Sequence, residues 1–204
     1  MGVLLGGGEQ GANKEPGMRF AAVCATALLL ASCGKPREPF AVFKQVHDFQ
    51  LTADTGQPFE SAKELKGKVW LADFIYSSCP GPCPRMSSQM AQVQKAIQGL
   101  QDARLVSFTV DPKRDTPEKL SAYAGYYGAQ PGRWFFLTGG REVLEKLSLE
   151  AFQLSRITDQ LDHSTRFALV DRQGRVRKYY MTTEGFNAGE IAGDMKALLE
   201  EQGS

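Results

Sequence analysis

The 204-residue chain carries 24 Lys and Arg against 23 Asp and Glu, a formal charge of +1. That balance gives no electrostatic reason to expect nucleic acid as a partner. If processing occurs at Cys33, the 204 − 32 = 172 residues that remain suit one domain with a proper core.

Residues 1–17 (MGVLLGGGEQGANKEPG) are Gly-rich and lack the apolar periodicity of a packed element, so Met18 reads as the natural start. Arg19, the apolar run 20–30 and the small residues before Cys33 have the layout of a secretory signal. The run is shorter than the roughly 20 residues that span a bilayer. Leu30-Ala31-Ser32-Cys33 resembles a bacterial lipobox, which makes Cys33 the expected lipidation site and first mature residue. The alternative is a plain signal peptide with a chance cysteine. The expected product is an extracytoplasmic lipoprotein, anchored to a membrane at the periplasmic face or cell surface. Residues 1–32 are then extension and signal, 33–45 a Pro- and Lys/Arg-bearing tether, and 46–204 one folded domain.

Within that domain, residues 46–59 hold two short extended pieces around the turn signal Asp54-Thr55-Gly56. Residues 69–76 form a nearly continuous apolar run of strand length, the pattern of a strand buried on both faces. A helix over 84–98 presents Met86, Met90, Val93 and Ile97 on one side. A strand over 104–110, a helix over 116–127 opened by Thr116-Pro117-Glu118, a strand over 134–137 and a helix over 142–151 follow. Strands over 165–170 and 176–180 flank the turn Asp171-Arg-Gln-Gly174, and a helix over 188–201 closes the chain. This alternation predicts an α/β fold: a central mixed sheet, helices on both faces, and a C-terminal β-hairpin plus helix.

Four cysteines suggest two disulfides, but Cys24 lies in the signal and Cys33 carries the expected lipid. Cys79 and Cys83 remain, four residues apart, and a bridge over so short a loop restricts the unfolded chain little. They sit where the buried strand hands over to a helix, an edge where α/β folds place ligands. Helix-terminal N–H groups are expected to favour a thiolate there. Pro80, Gly81, Pro82 and Pro84 stiffen the loop. Three intervening residues, against the two of a redox Cys-x-x-Cys pair, let both sulfurs face one point without forcing a bond. Two thiolates are soft donors suited to Cu(I) or zinc. A closed zinc site takes four ligands at longer spacings, whereas copper accepts fewer. The chain has two histidines. His47, beside Asp48, reads as a surface or structural residue, and His163, in a polar turn before a strand, is the candidate third ligand. Asp73, inside the apolar strand, either handles protons for the cysteines or reaches solvent or a hydrogen-bond partner. Met86 reads as core rather than ligand.

Three motifs carry a resemblance to the Sco/SenC family of copper proteins: Cys79-Pro-Gly-Pro-Cys83-Pro, Val110-Asp-Pro-Lys-Arg-Asp-Thr-Pro117 and Asp162-His163-Ser164. They occur in family order, and the likeness runs from about residue 49 to the C-terminus. Gly81-Pro82 departs from the acidic residue that many relatives carry between the cysteines. The resemblance implies a thioredoxin-like fold and one copper per chain, Cu(I) or Cu(II), held by Cys79, Cys83 and His163. It also implies service to the dinuclear copper (CuA) site of cytochrome c oxidase, by metal delivery or thiol preparation. The implied partners are the oxidase's copper-bearing subunit and other copper chaperones. Asp111 and Asp115 are expected to order their turn and cap the helix at Thr116. The competing reading is an extracytoplasmic thiol–disulfide oxidoreductase in which Cys79 attacks and Cys83 resolves. A weaker one is a peroxide-reducing relative, for which Arg85 is the sequence-adjacent cation.

Overall fold

A computed structural model describes residues 40–153, 165–183 and 185–201. Its described part is built on one eight-stranded sheet, β1 (Lys44–Gln45), β2 (Gln50–Ala53), β3 (Pro58–Glu60), β4 (Val69–Ile75), β5 (Ala103–Thr109), β6 (Trp134–Thr138), β7 (Arg166–Val170) and β8 (Arg175–Met181). The strand order is β1-β8-β7-β4-β5-β6-β2-β3. Strands β4, β5 and β6 run parallel, while β7 and β8 form an antiparallel hairpin against β4 and β2 and β3 form another against β6. The α/β reading, with its mixed sheet and terminal hairpin and helix, holds.

Every residue of β4 is buried, and its side chains alternate between two cores. Trp70, Ala72 and Phe74 face a core shared with Phe49, Phe59, Phe108, Leu144 and Phe152. Val69, Leu71 and Ile75 face the other, built from α2 (Cys83–Ala96), α3 (Pro117–Tyr126) and α5 (Ala188–Glu200). The α2 stripe predicted from periodicity is its centre: Met86, Met90, Val93 and Ile97 are wholly buried. Two elements differ from expectation. A one-turn helix, α1 (Ser61–Glu64), is too short to leave a periodic signal. The helix predicted over 142–151 is α4 (Arg141–Lys146) followed by a π-turn, Leu147–Ala151, which lets Leu147, Ala151 and Phe152 all reach the core.

The parallel strands deliver their C-terminal ends to one edge of the sheet. The loop after β4, the loop after β5, the start of β7 and the end of β8 all lie there. At the other end, Gly174 closes the β7–β8 turn with φ near 76°, and a Cβ there would meet the Val46 carbonyl at 3.0 Å. Residues 40–45, in the stretch expected to serve as a tether, run along that end. Arg177 is 4% exposed and clamps them. Its guanidinium donates to the carbonyls of Phe40 (2.9 Å) and Ala41 (3.0 Å), to Asp171 (2.8 Å) and to Glu201 (2.9 and 3.1 Å). Burial pushes the Asp171 acid up, but the Arg175 backbone N–H and the two guanidinium groups outweigh it and hold the acid below its ordinary value.

Arg177→Ala leaves Asp171 buried with half its cationic cover. The expected cost, read by urea denaturation at pH 7, is about 3–5 kcal/mol. Because the acid's folded pKa is depressed, its stabilisation is complete above the ordinary carboxylate pKa and is lost as pH falls through the lower folded value. That acid-limb slope should be shallower in the variant, and an unchanged slope with unchanged stability would show the clamp to be inert.

Candidate metal centre

The cysteine loop begins as β4 leaves the sheet. Val110 N–H still donates to the Ile75 carbonyl at 2.8 Å, extending the β4–β5 ladder by one step. Cys79 N–H then donates to the Tyr76 carbonyl at 3.2 Å, turning the chain back over the sheet edge. Cys83 is the first residue of α2, with Pro82 at its N-cap and Pro84 in its first turn, where a missing N–H costs no helical bond. Both cysteines are free thiols. Cys79 is 7% exposed and Cys83 is fully buried. The two thiols stand near enough to influence each other, as do Cys79 and the Tyr76 hydroxyl. The Gly81 backbone N–H donates to the Cys79 sulfur at 3.4 Å.

Expectation and structure part over thiol acidity at Cys83. Placement at a helix N-terminus was expected to lower its pKa. Burial instead pushes it up strongly, and the neighbouring Cys79 adds to this, with only the Tyr76 backbone N–H opposing. Cys83 is thus a protonated thiol at neutral pH in the metal-free protein. Tyr76 is likewise raised to about 12, by burial and by the thiols beside it, so its hydroxyl stays a donor. Sequence reasoning passed over Tyr76 because an aromatic at a strand end reads as core.

Beneath the loop lies Asp73, fully buried on the α2 side of β4. Complete burial removes the expected route to solvent, and neither carboxyl oxygen has a hydrogen-bond partner among the described residues. Ser107, its register neighbour on β5, approaches closely enough to favour the ionised acid slightly, though without proper hydrogen-bond geometry. Burial dominates and lifts the acid to about 7.

The second motif meets the first through Asp115. Its carboxylate accepts from the Ser77 N–H (3.1 and 3.3 Å), the Ser77 hydroxyl (2.5 Å) and the Thr109 hydroxyl (2.6 Å). The expected cap on α3 is made by Thr116 itself, through the Lys119 N–H at 3.4 Å, so Asp115 orders the cysteine loop instead. Asp111 pairs with Arg114 at 3.0 Å, and its N–H donates to Thr109 at 2.9 Å.

His163 lies outside the described residues, as does Cys33. Thr165, the first described residue after it, leads into β7, which enters the sheet beside β4 at the end carrying the cysteine loop. His47 is exposed at the opposite end, next to Val46, whose N–H donates to Gly174 at 2.8 Å. Arg85 is exposed, and Met86 is core. Among the described residues no group of three or more His, Cys, Asp or Glu side chains converges as a metal cage. The described donors are the dithiol, a soft pair whose chemistry fits copper.

Residues 40–200 match the SCO1/SenC family profile. The chain belongs to the SCO1/SenC family. A SCO1/SenC family lipoprotein from Bacillus anthracis shares the thioredoxin-like fold with a TM-score of 0.71 and 37% identity, over 79% of this chain and 98% of its own. BsSco, a Sco-family cytochrome c oxidase assembly protein with a disulfide switch, aligns with a TM-score of 0.70 and 31% identity, over 81% of this chain and 100% of its own. ScoI of Bradyrhizobium japonicum, solved with copper bound, aligns with a TM-score of 0.62 and 26% identity, over 74% and 98% respectively.

Asp73 has a measurable signature. At low pH the acid is protonated in both folded and unfolded chains. As pH rises from the ordinary carboxylate value to about 7, only the unfolded chain ionises, so stability is lost across that window and is flat beyond it. Asp73→Asn should shrink the loss between pH 4 and pH 8 by up to about 4 kcal/mol, read by denaturant titration. Equal pH slopes in the two proteins would mean that Asp73 ionises normally.

Proposed function

We propose that this protein is an extracytoplasmic copper metallochaperone, binding one copper through Cys79, Cys83 and His163. Its role in this reading is to deliver that copper to the CuA site of cytochrome c oxidase, or to prepare the thiols of that site. The observation that carries the reading is the pair of free cysteines, near enough to influence each other, on a proline-stiffened loop at the sheet edge. Membership in a family that includes a copper-bound ScoI and an oxidase assembly protein supports it. Copper is cargo here. A site of two thiolates and one imidazole holds it in either oxidation state yet leaves a face open, so a partner's thiolate can enter before one of this protein's sulfurs leaves. Because the ligands must be deprotonated, loading releases the Cys83 proton, and affinity rises with pH.

Thiol–disulfide exchange is the second reading, favoured by the same nearness of the two thiols and by the disulfide switch of BsSco. Cys79, the less buried sulfur, is the attacking group and Cys83 the resolving one. Two electrons and two protons leave the pair as its S–S bond forms, reducing a disulfide on the partner. His163 separates the readings, since metal binding uses it and disulfide exchange does not.

The reduced protein is expected to bind one Cu(I) per chain, and Cys79→Ser or Cys83→Ser to abolish stoichiometric binding, measured by metal analysis after gel filtration. His163→Ala should weaken or distort the Cu(II) charge-transfer spectrum while sparing disulfide formation. A wild-type protein that takes up no copper under reducing conditions would leave thiol exchange as the function.

Membrane attachment rests on the Leu-Ala-Ser-Cys33 motif and on likeness to a Bacillus anthracis lipoprotein. No described helix is long and apolar enough to cross a membrane. Expressed with its leader in a bacterium, wild type should incorporate labelled fatty acid and sediment with membranes. Cys33→Ser should do neither, and label retained in the variant would place the acyl chain elsewhere.

A further inference from the structure

Asp115 is wholly buried, yet three donors converge on it, from the cysteine loop and from the end of β5. On one side stands Ser77, two residues before Cys79, giving both its N–H and its hydroxyl. On the other stands Thr109, the last residue of β5, whose hydroxyl donates at 2.6 Å and accepts from Asp111 N–H at 2.9 Å. The Asp115 backbone is itself held, its N–H donating to the Asp111 carbonyl at 2.9 Å. Charge-assisted bonds of this length are about twice as strong as neutral ones. The chain from Ile75 to Cys79 is therefore pinned at three successive points: the Ile75 carbonyl, Ser77 and the Cys79 N–H.

The pinning is asymmetric with respect to the two sulfurs. Cys83 is fixed by α2, which packs through Met86, Met90 and Val93. Cys79 belongs to no helix or strand and depends on its loop. We propose that Asp115 is a positioning residue for the cysteine pair: through Ser77 it fixes Cys79 against Cys83, setting both the dithiol–disulfide equilibrium and copper affinity. The inference deepens the reading of the pair as a working dithiol and rests on it, but its first test needs no metal.

Loss of the carboxylate frees Cys79 and lowers its effective concentration at Cys83. Less disulfide then forms at a given ratio of glutathione disulfide to glutathione. The reaction is balanced: the Cys79–Cys83 S–S bond forms, the glutathione S–S bond breaks, and the two thiol protons pass to the two glutathione thiols.

The test is the glutathione equilibrium of the full chain, followed by quenching and mass spectrometry, beside thermal unfolding of the reduced protein. Asp115→Asn keeps the volume and one acceptor, and should shift the equilibrium toward dithiol by about 10- to 100-fold, the range typical of groups that orient metal ligands. Ser77→Ala should shift it in the same direction by less, and Ser77→Thr, which keeps the hydroxyl, should restore it. Arg177→Ala, at the far end of the sheet, is the control for stability loss alone and should leave the equilibrium in place. If Asp115→Asn moves the equilibrium no further than Arg177→Ala does, Asp115 is structural only and the proposal falls. Should Asp115→Asn fail to fold, the Ser77 pair decides: an equilibrium indifferent to Ala and Thr overturns it. Cu(I) competition on the same variants should show a parallel loss. A wild type that binds no copper would defeat metal delivery while leaving the glutathione result to stand or fall by itself.

Discussion

Covering β4 on both faces is the constraint from which the site follows. A strand with seven buried residues has no freedom to tilt or slip, since each single-residue shift would exchange the two cores that its side chains fill. Its C-terminal end is therefore a fixed point, and the chain that leaves it starts from a known place in a known direction. Helix α2 returns over the same face and packs its Met-rich stripe back onto β4. The loop of residues 76–82 has both ends set by core packing, and what it carries inherits that rigidity.

The same burial sets the chemistry. Cys83 and Asp73 lie on the α2 side of β4, away from water, so burial favours the neutral form of both, and Asp73 makes a charge on Cys83 more costly still. A buried protonated thiol such as Cys83 is a poor nucleophile. Cys79 lies nearer the surface, where the Gly81 amide donates to its sulfur. The two cysteines thus differ in depth in the fold, although they stand only four positions apart.

Much of this was legible in the sequence because it is written in local pattern. The apolar run of β4, the 3.6-residue stripe of α2, the Thr-Pro-Glu start of α3 and the Asp-to-Gly turn before β8 each announce themselves within about ten residues. The Cys-Pro-Gly-Pro-Cys motif declared its own place at a strand–helix junction. What escaped was long-range or quantitative. The bonds joining Asp115 to Ser77 cross 38 positions, so the aspartate looked like a helix cap beside Thr116. The thiol of Cys83 was read from its helix terminus, but complete burial is a property of the assembled core and it outweighs the terminus. The π-turn after α4 arises from the demands of packing around Phe152, and no residue in 147–151 signals it.

The two ends of the sheet also divide the labour. Arg177 gathers the entering chain, the β7–β8 turn and the end of α5 at one end, while the cysteine loop, the Asp115 knot and the start of β7 share the other. A buried Arg with five hydrogen bonds is worth little as a stabiliser if it is compared with well-packed apolar residues. Its use is specificity: it fixes which backbone carbonyls may lie there, and so where the domain begins.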